Sequence, residues 1–217
     1  MQRMPVEDGA SLAAQRRPIA LAGFMGVGKS SVGRLVAAQL GRPFIDTDDV
    51  AQSITGRSIL DCFQSGDEAV FREAEARAVR QAVATGAAVI ALGGGAVLRN
   101  DSLELLLEKA LLVYLHVPWS ELREWLPEMA ESRPLLQGRT IGEMHQLYRS
   151  RVSTYRRAHL RVWVRRTSPE EAARRVLRAL QRSANVSSPP CLEGGAPGNP
   201  GLRYPPGPER LQQVPGE

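Results

Sequence analysis

Short apolar runs alternate with longer amphipathic stretches along residues 18–182. Five of these runs have the length and the aliphatic content of buried strands, and they cover residues 19–22, 43–46, 88–92, 111–116 and 160–164. Strands that alternate with helices usually pair in parallel and are covered by helices on both faces. The pattern therefore predicts an α/β fold with three layers, α/β/α, around a five-stranded parallel sheet.

Glycines and N-terminal caps mark the ends of the predicted helices. Residues 29–40 are predicted to form one helix that ends before Gly41, and residues 67–84 another that ends before Gly86. Three later helices are indicated by capping boxes, in which an N-cap residue is followed three places later by glutamate. These pairs are Asp101 with Glu104, Thr140 with Glu143, and Ser168 with Glu171.

The composition changes at both ends of this pattern. Residues 183–217 contain eight prolines and six glycines, so they hold too little apolar surface to offset the entropy lost on folding. We expect this tail and residues 1–17 to be disordered, which leaves residues 18–182 as one domain. No run approaches the roughly 20 apolar residues of a membrane helix, and residues 1–17 lack the apolar centre of a secretory signal. We expect a cytoplasmic protein that does not contact membranes.

The positive charge is carried almost entirely by arginine. The net charge is +5, and residues 133–182 contain 13 arginines against 3 acidic residues. Planar guanidinium groups favour anionic ligands, but these arginines lie at helical positions without interleaved aromatic residues, which argues against nucleic acid as a partner. Cys62 and Cys191 lack metal-ligand spacing, as do the three histidines, so we interpret both cysteines as free thiols.

A glycine-rich motif follows the first predicted strand directly. Residues 23–30 read Gly-Phe-Met-Gly-Val-Gly-Lys-Ser, which matches the phosphate loop G-x-x-x-x-G-K-[ST] between a strand and a helix. In such a loop, consecutive backbone N–H groups and the positive end of the helix face one anion. The motif predicts that Lys29 reaches the outer phosphates of a nucleotide and that the Ser30 hydroxyl binds Mg²⁺. ATP is favoured, because the chain has no Asn-Lys-x-Asp guanine signature.

Two carboxylates, Asp46 and Asp48, stand at the end of the second predicted strand. Residues at i and i+2 of an extended chain project from the same face, so both side chains are expected to point toward one site. At the carboxyl edge of a parallel sheet, such a pair can hold Mg²⁺ through water and orient or deprotonate a hydroxyl group. The simpler alternative is that Asp48 or Asp49 caps the segment that follows.

Two further features lie where an acceptor would bind. The predicted helix 67–84 carries Arg72 and Glu75 at the i, i+3 spacing that lets them touch, although a surface salt bridge of little consequence has the same spacing. The third strand leads into Gly93, Gly94 and Gly95, where backbone groups can approach a hydroxylated ligand closely. A plain turn is the alternative, but three glycines cost conformational entropy without adding packing.

In their order along the chain, these motifs resemble the shikimate kinase family over residues 18–180. The resemblance rests on seven short segments, which are residues 23–30, 46–48, 55–59, 63–75, 93–95, 133–136 and 151–155. It implies an NMP-kinase-like P-loop domain with a mobile lid. It also implies transfer of the γ-phosphoryl group of MgATP to the 3-hydroxyl of shikimate, a step in the biosynthesis of chorismate and the aromatic amino acids.

The resemblance further implies a role for each residue of the site. ATP is implied to contact Gly26, Val27, Gly28, Lys29, Ser30, Ser31 and the lid residue Arg133, while Ser30 and Asp46 serve Mg²⁺. Shikimate is implied to contact Asp48, Arg72, Gly93, Gly94, Gly95, Arg151, Glu75, Phe63 and Phe71. In that set, Arg72 and Arg151 clamp the carboxylate, and Asp48 meets the 3-hydroxyl as a base or an orienting group. The implied catalytic residues are Asp48, Lys29 and Arg133.

Three positions depart from the family pattern. Asp67 stands where the family usually has glycine, and Ser153 stands where proline is common. The third position lies in the lid. Many members carry an arginine that stacks on adenine seven residues before the lid arginine, where this chain has Leu126. Our hypothesis is that the neighbouring Trp125 covers the base instead. We expect a monomer that acts on ATP and shikimate. Two alternatives remain, namely another small-molecule kinase such as gluconate kinase, and a nucleotide-binding interaction module whose tail is the partner site.

Overall fold

The computed structural model describes residues 17–187, except for residues 131, 132, 134 and 166. Its five strands are β1 (Ile19–Ala22), β2 (Phe44–Asp46), β3 (Val89–Ala91), β4 (Leu111–His116) and β5 (Leu160–Trp163). They form one sheet in the order β2-β3-β1-β4-β5, and every neighbouring pair is parallel. The predicted sheet is confirmed, with each strand placed to within about a residue at its ends.

Helices fill the connections between the strands. They are α1 (Lys29–Leu40), α2 (Thr47–Thr55), α3 (Ile59–Gln64), α4 (Glu68–Ala84), α5 (Asn100–Lys109), α6 (Trp119–Met129), α7 (Ile141–Tyr155) and α8 (Pro169–Ser187), with a 3₁₀ turn at Ala96–Leu98. Gly41 ends α1 with φ of 62°, a left-handed conformation that favours glycine. The predictions for α1 and α4 are confirmed, whereas α2, α3 and α6 have no counterpart among the predicted helices.

Because crossovers between parallel strands are almost always right-handed, the strand order places helices on both faces of the sheet. The chain moves outward from β1 to β2 through α1 and then reverses through β3, β4 and β5, so α1 lies on one face and the later connecting helices on the other. The last helix, α8, packs along α1. The reversal occurs beside β1, and α/β proteins bind their ligands at the carboxyl ends of the strands at such a point.

The capping predictions have different outcomes. Thr140 and Glu143 form a complete capping box at the start of α7. At α8, the Ser168 hydroxyl accepts a hydrogen bond from the Glu171 backbone N–H at 3.3 Å. The prediction for Asp101 is wrong, because Arg99 Nε holds its carboxylate at 2.9 and 3.2 Å and the helix begins one residue earlier.

Buried side chains form two separate clusters. The large cluster surrounds the sheet, and the small one lies between α2, α3 and α4, where it contains Ala51, Cys62, Phe71, Ala74 and Ala78. Cys62 is a free, fully buried thiol, as predicted. Trp163 is 46% exposed, because it ends the edge strand β5, and its ring packs against the guanidinium of Arg161.

The two ends of the chain fall largely outside the structure. Helix α8 continues to Ser187, beyond the domain boundary predicted at residue 182. Residues 1–16 and 188–217, which include Cys191 and most of the segments expected to be disordered, lie outside the described residues. Among the described helices, none combines the length and the apolar character needed to cross a membrane.

Candidate active site

The phosphate loop joins β1 to α1. Gly26 and Gly28 both have φ of 83°, a conformation that strains any residue with a side chain. Gly26 also lacks space, since a Cβ atom there would lie 2.7 Å from Met129 Sδ. Gly28 is the N-cap of α1, so the positive end of the helix opens at this loop.

The side chain of Lys29, the first residue of α1, folds back against the phosphate loop. Its Nζ donates hydrogen bonds to the carbonyl oxygens of Gly23 at 3.0 Å and Phe24 at 3.2 Å. Burial of the ammonium group lowers the pKa of Lys29 to about 8, and the nearby Asp48 carboxylate opposes that shift. A phosphate that approaches the loop would favour the charged form further.

Ser30 and Asp46 form a pair of hard oxygen ligands. Ser30 Oγ donates to Asp46 Oδ2 at 2.6 Å. Mg²⁺ prefers such oxygens and is usually held by one or two carboxylates together with phosphates and water. Within the described residues, there is no group of three or more His, Cys, Asp or Glu side chains that could hold a metal alone. The pair therefore fits an ion that the nucleotide helps to bind.

The extended geometry predicted for Asp46 and Asp48 is wrong. Asp46 is the N-cap of α2, where its Oδ1 accepts from the Asp48 backbone N–H at 3.1 Å, and Asp48 already belongs to the first helical turn. The alternative that Asp48 or Asp49 caps this helix is wrong for the same reason. The two carboxylates are neighbours because a strand changes into a helix between them, with Thr47 turned into the core.

A cleft lies beside the phosphate loop. We call it the acceptor cleft. Its walls are Met25, Asp48, Ile59, Phe63, Phe71, Arg72, Glu75, Gly94, Gly95, Arg133 and Leu135. The cavity around the phosphate loop, which we call the phosphate cavity, shares Met25, Asp48, Gly94 and Arg133 with it. A ligand in one space can therefore meet a ligand in the other beside Asp48 and Arg133.

Asp48 has an unusual protonation equilibrium at this junction. Burial raises the pKa of its carboxyl group to about 6, and the charge of Lys29 limits the rise. A carboxylate with a pKa close to neutral is a better proton acceptor than an exposed aspartate. The position and the pKa both suit a group that orients or deprotonates a hydroxyl.

Arg72 is held by two carboxylates on α4. Its Nη1 donates to Glu75 Oε2 at 2.9 Å, and its Nε and Nη2 donate to Glu68 Oε1 at 3.2 and 3.0 Å. Glu75 is buried and Arg72 lines the cleft, so this is not the exposed salt bridge that the spacing alone allowed. A guanidinium has five N–H donors, which leaves Arg72 able to bind a ligand as well.

Arg151 is a buried cation. Only 4% of the residue is exposed, its Nη1 donates to the Gly94 carbonyl oxygen at 3.2 Å, and its Nε has no hydrogen-bond partner within the described part of the chain. Arginine is rarely buried unless it is paired with an anion. The geometry therefore indicates that a negatively charged ligand group completes the environment of Arg151.

The two arginines meet at the glycine loop, residues 93–95. A Cβ atom on Gly94 would lie 3.6 Å from Arg151 Nη1, and one on Gly95 would contact Arg72 Nη1. Both arginines also line a further cavity at the outer end of the loop. One carboxylate placed there would lie near both guanidinium groups, which is the arrangement that the family resemblance implies.

Most backbone polar groups of the glycine loop form hydrogen bonds within the protein. The carbonyl oxygens of Gly93 and Gly95 accept from the backbone N–H groups of Ala96 at 3.1 Å and Leu98 at 2.9 Å. Two side chains donate to the Gly94 carbonyl, and the Gly93 N–H donates to a buried hydroxyl. Among the described residues, the N–H groups of Gly94 and Gly95 have no acceptor, so the loop offers donors rather than acceptors to a ligand.

A side chain on the glycine loop would collide with the site. A Cβ atom on Gly93 would contact Asp48 Oδ1 and lie 2.6 Å from Glu75 Oε1. The loop therefore fits between the functional side chains because it has none of its own. A plain turn would not need that close approach.

Arg133 is exposed and lines both the acceptor cleft and the phosphate cavity. Its carbonyl accepts from the backbone N–H of Leu136 at 2.8 Å, and Leu136 is fully buried. The backbone that carries Arg133 is thus attached to the core on its C-terminal side. Its neighbours 131, 132 and 134 lie outside the described residues.

A fourth cavity, the base cavity, extends from the phosphate loop toward β5 and α8. Its walls are Gly26, Val27, Gly28, Val32, Val117, Trp125, Val164, Arg165, Thr167, Pro169 and Ala172. Trp125 Nε1 would lie 3.6 Å from a Cβ atom on Gly26, whereas Leu126 is fully buried in the core. The aromatic ring beside the phosphate loop is therefore that of Trp125.

Sequence reasoning missed several residues of the site. Glu68 precedes Arg72 by four residues, and that helical spacing could have indicated the contact. Thr47 and Tyr155 appeared only as parts of motifs without a role. Their partners are 46 and 61 residues away, so no local signal identifies them.

Comparison with known sequences gives matches over most of the chain. The shikimate kinase family model matches residues 25–181. A shikimate kinase of Oceanobacillus iheyensis is 34% identical over 175 residues, which cover 81% of this chain and 96% of that protein. One of Bacillus licheniformis is 36% identical over 170 residues, which cover 78% and 96% of the two chains.

Solved structures agree with the sequence matches. The shikimate kinase of Acinetobacter baumannii, determined in complex with shikimate, superposes with a TM-score of 0.73 and 29% identity, covering 81% of this chain and 98% of that one. The enzyme of Aquifex aeolicus gives a TM-score of 0.66 with 29% identity, over 78% and 98% of the chains. The predicted P-loop kinase fold is confirmed.

Proposed function

Because the chain belongs to the shikimate kinase family, we propose that it transfers the γ-phosphoryl group of ATP to the 3-hydroxyl of shikimate, giving shikimate 3-phosphate and ADP. The observation that carries the choice of acceptor is the buried guanidinium of Arg151, whose Nε has no partner among the described residues. A carboxylate on the acceptor provides the missing anion.

ATP would extend across two cavities. Its phosphates would occupy the phosphate cavity, where the backbone N–H groups of residues 26–31 and the N-terminus of α1 face them. Lys29 would turn from the carbonyls of its own loop to the outer phosphates. Adenine would enter the base cavity, where Trp125 lies beside the phosphate loop.

Ser30 and Asp46 would hold Mg²⁺, the hydroxyl directly and the carboxylate through water. Their contact of 2.6 Å places both oxygens at one point of the phosphate cavity. When bound, the ion supplies charge neutralisation on the β- and γ-phosphates.

Shikimate would fill the acceptor cleft. Its carboxylate would bind Arg72 and Arg151 through fork-shaped hydrogen bonds that lysine cannot reproduce. Phe63 and Phe71, whose ring centroids are 5.7 Å apart, would pack against the ring, and the loop of residues 93–95 would donate to its hydroxyl groups. Glu75 would keep Arg72 in place through its 2.9 Å contact.

Transfer would take place where the two spaces meet. Asp48 would accept the hydrogen bond or the proton of the 3-hydroxyl, whose oxygen then attacks the γ-phosphorus as the bond to the β-phosphate oxygen breaks. Lys29 and Arg133 would stabilise the charge on the transferred group. Closure of the segment around Arg133 would exclude water, which otherwise competes as the acceptor.

The enzyme would work as a monomer in the cytoplasm. Every side chain assigned above belongs to one chain, so the site needs no partner subunit. The cytoplasm supplies ATP and keeps the Cys62 thiol reduced.

A coupled assay of ADP release tests this proposal. Shikimate, gluconate and nucleoside monophosphates are offered in parallel at equal concentration, and Lys29→Ala serves as the inactive control. We expect turnover with shikimate alone, and ³¹P NMR of the product to show a phosphate monoester on the 3-hydroxyl. Gluconate is the sharpest competitor because it also carries a carboxylate, but it has no ring for Phe63 and Phe71 to pack against. Faster turnover with gluconate would contradict the proposal.

A further inference from the structure

Two buried hydroxyl groups hold the backbone of the glycine loop. Thr47 is fully buried, and its Oγ1 accepts from the Gly93 N–H at 2.8 Å. Tyr155 is 1% exposed, and its hydroxyl donates to the Gly94 carbonyl at 2.7 Å. Thr47 belongs to α2 and Tyr155 to the end of α7, so two distant elements fix two successive residues of the loop.

We propose that Thr47 and Tyr155 are positioning residues, which fix the peptide groups of residues 93–95 so that the free N–H donors and Arg151 face the acceptor. The inference rests on the proposed function for the identity of that acceptor. It assigns no chemical step to either hydroxyl, because neither lines the acceptor cleft or the phosphate cavity.

Thr47 connects the glycine loop to Asp48, whose carboxylate lies where the acceptor cleft and the phosphate cavity meet. It stands between Asp46 and Asp48 in the first turn of α2. Gly93 packs directly against the carboxylates of Asp48 and Glu75. A shift of Gly93 would therefore change the spacing between Asp48 and the rest of the acceptor cleft.

Tyr155 determines how Arg151 approaches the same loop. A carbonyl oxygen has two lone pairs, and at Gly94 one meets the Tyr155 hydroxyl and the other Arg151 Nη1 at 3.2 Å. The Tyr155 ring is stacked on Tyr114, with centroids 5.3 Å apart, so its hydroxyl has little freedom. Burial also raises the pKa of Tyr155 to about 12, so its hydroxyl remains a donor well above neutral pH.

Three successive glycines make this support necessary. Glycine has more backbone freedom than any other residue, and a rotated peptide would present a carbonyl where the acceptor needs an N–H. Loss of either hydroxyl would also leave a buried backbone group without its partner. The hydroxyls thus replace the restraint that side chains would otherwise give.

The first test compares variants that remove one hydroxyl each. In Thr47→Val and Tyr155→Phe, we expect kcat/KM for shikimate to fall about tenfold, equivalent to ~1.4 kcal/mol, while KM for ATP stays within about twofold. Thr47→Ser keeps the hydroxyl and should retain most of the activity. Tyr148→Phe is the matched control, since Tyr148 is also buried but donates to the Val117 carbonyl at 3.2 Å, away from the loop.

A second measurement does not depend on turnover. In ¹⁵N-glycine-labelled protein, the Gly93 amide should exchange with solvent at least about tenfold faster in Thr47→Val, and the Gly95 amide resonance should shift in Tyr155→Phe, because it shares a peptide group with the Gly94 carbonyl. Unchanged exchange of Gly93, or equal losses of kcat/KM in Tyr148→Phe and Tyr155→Phe, would overturn the inference. Absence of shikimate turnover in the wild type would count against the proposed function alone.

Discussion

The phosphate half of the site comes largely from one stretch of chain, residues 23–31, to which Asp46 and Arg133 add side chains, whereas the acceptor half combines α2, α4, the loop after β3 and α7. In the phosphate half, the left-handed glycines and the start of α1 shape the binding surface. In the acceptor half, hydrogen bonds between distant residues do so, such as that from Arg151 to Gly94.

The two halves therefore have different tasks: the phosphate half binds the nucleotide, and the acceptor half selects the acceptor. The phosphate half presents mostly backbone, which recognises phosphate in any nucleotide. The acceptor half presents several arginines, two phenylalanines and two carboxylates, and it rests on the small cluster between α2, α3 and α4. Changes in the acceptor half should therefore alter turnover of shikimate while leaving the nucleotide bound.

The largest effect is expected where the halves meet. Asp48→Asn should lower kcat at least about 100-fold, because the amide cannot accept a proton, while the dissociation constant for ATP, measured by calorimetry, changes by less than about threefold. Asp49→Asn, on the exposed side of the same helical turn, is the control and should stay near wild type. A comparable loss of ATP affinity in Asp48→Asn would mean that the halves are not separate.

The carboxylate clamp should show the next largest effect. Arg151→Lys keeps the charge but loses the planar fork, so kcat/KM for shikimate should fall about 30-fold or more. KM for ATP and the slow hydrolysis of ATP without acceptor should change by less than about twofold. Arg149→Lys on the exposed face of α7 controls for the substitution itself. Equal losses in both activities would reject the clamp.

The two substrates should show different pH dependences. Asp48, whose pKa is raised to about 6, works as a carboxylate, so kcat/KM for shikimate should be constant above that pH and fall about tenfold per unit below it. Lys29, whose pKa is lowered to about 8, works as a cation, so kcat/KM for ATP should fall as the pH rises above that value. Fluorescence at each pH shows whether the fold is intact. An acidic limb near pH 4 would contradict the account of Asp48.

The smallest effect is expected in the base cavity. Trp125→Ala should raise KM for ATP by about 2- to 10-fold, the usual value of an aromatic contact, and leave KM for shikimate unchanged. The control is Trp163→Ala, because Trp163 is exposed and lines none of the four cavities. An unchanged KM for ATP would show that another group covers adenine.

The phosphate half could be predicted from sequence because its geometry is local. Eight consecutive residues determine the turn, and the structure brings Lys29 and Ser30 to the same cavity as Asp46. For Asp46 and Asp48, the site was anticipated but the geometry was not. The prediction assumed that the chain stays extended as far as Asp48, whereas Asp46 caps a helix that begins at Thr47.

The acceptor half could be outlined only through the family resemblance. Arg72 and Arg151 are 79 residues apart in the sequence, and nothing local shows that they lie along one loop. Thr47 and Tyr155 are ordinary buried residues by pattern, and only the folded chain shows their bonds to the glycine loop. Competition between side chains had a similar effect at Asp101, where Arg99 takes the carboxylate that would have capped α5.

The most direct test of the clamp is to remove the carboxylate from the acceptor instead of removing the arginines. Steady-state ADP release is measured with shikimate and with its methyl ester, in the wild type and in Arg151→Lys. The account predicts that the wild type prefers shikimate by about 100-fold or more and that Arg151→Lys loses most of this preference. Equal turnover of acid and ester by the wild type would contradict it.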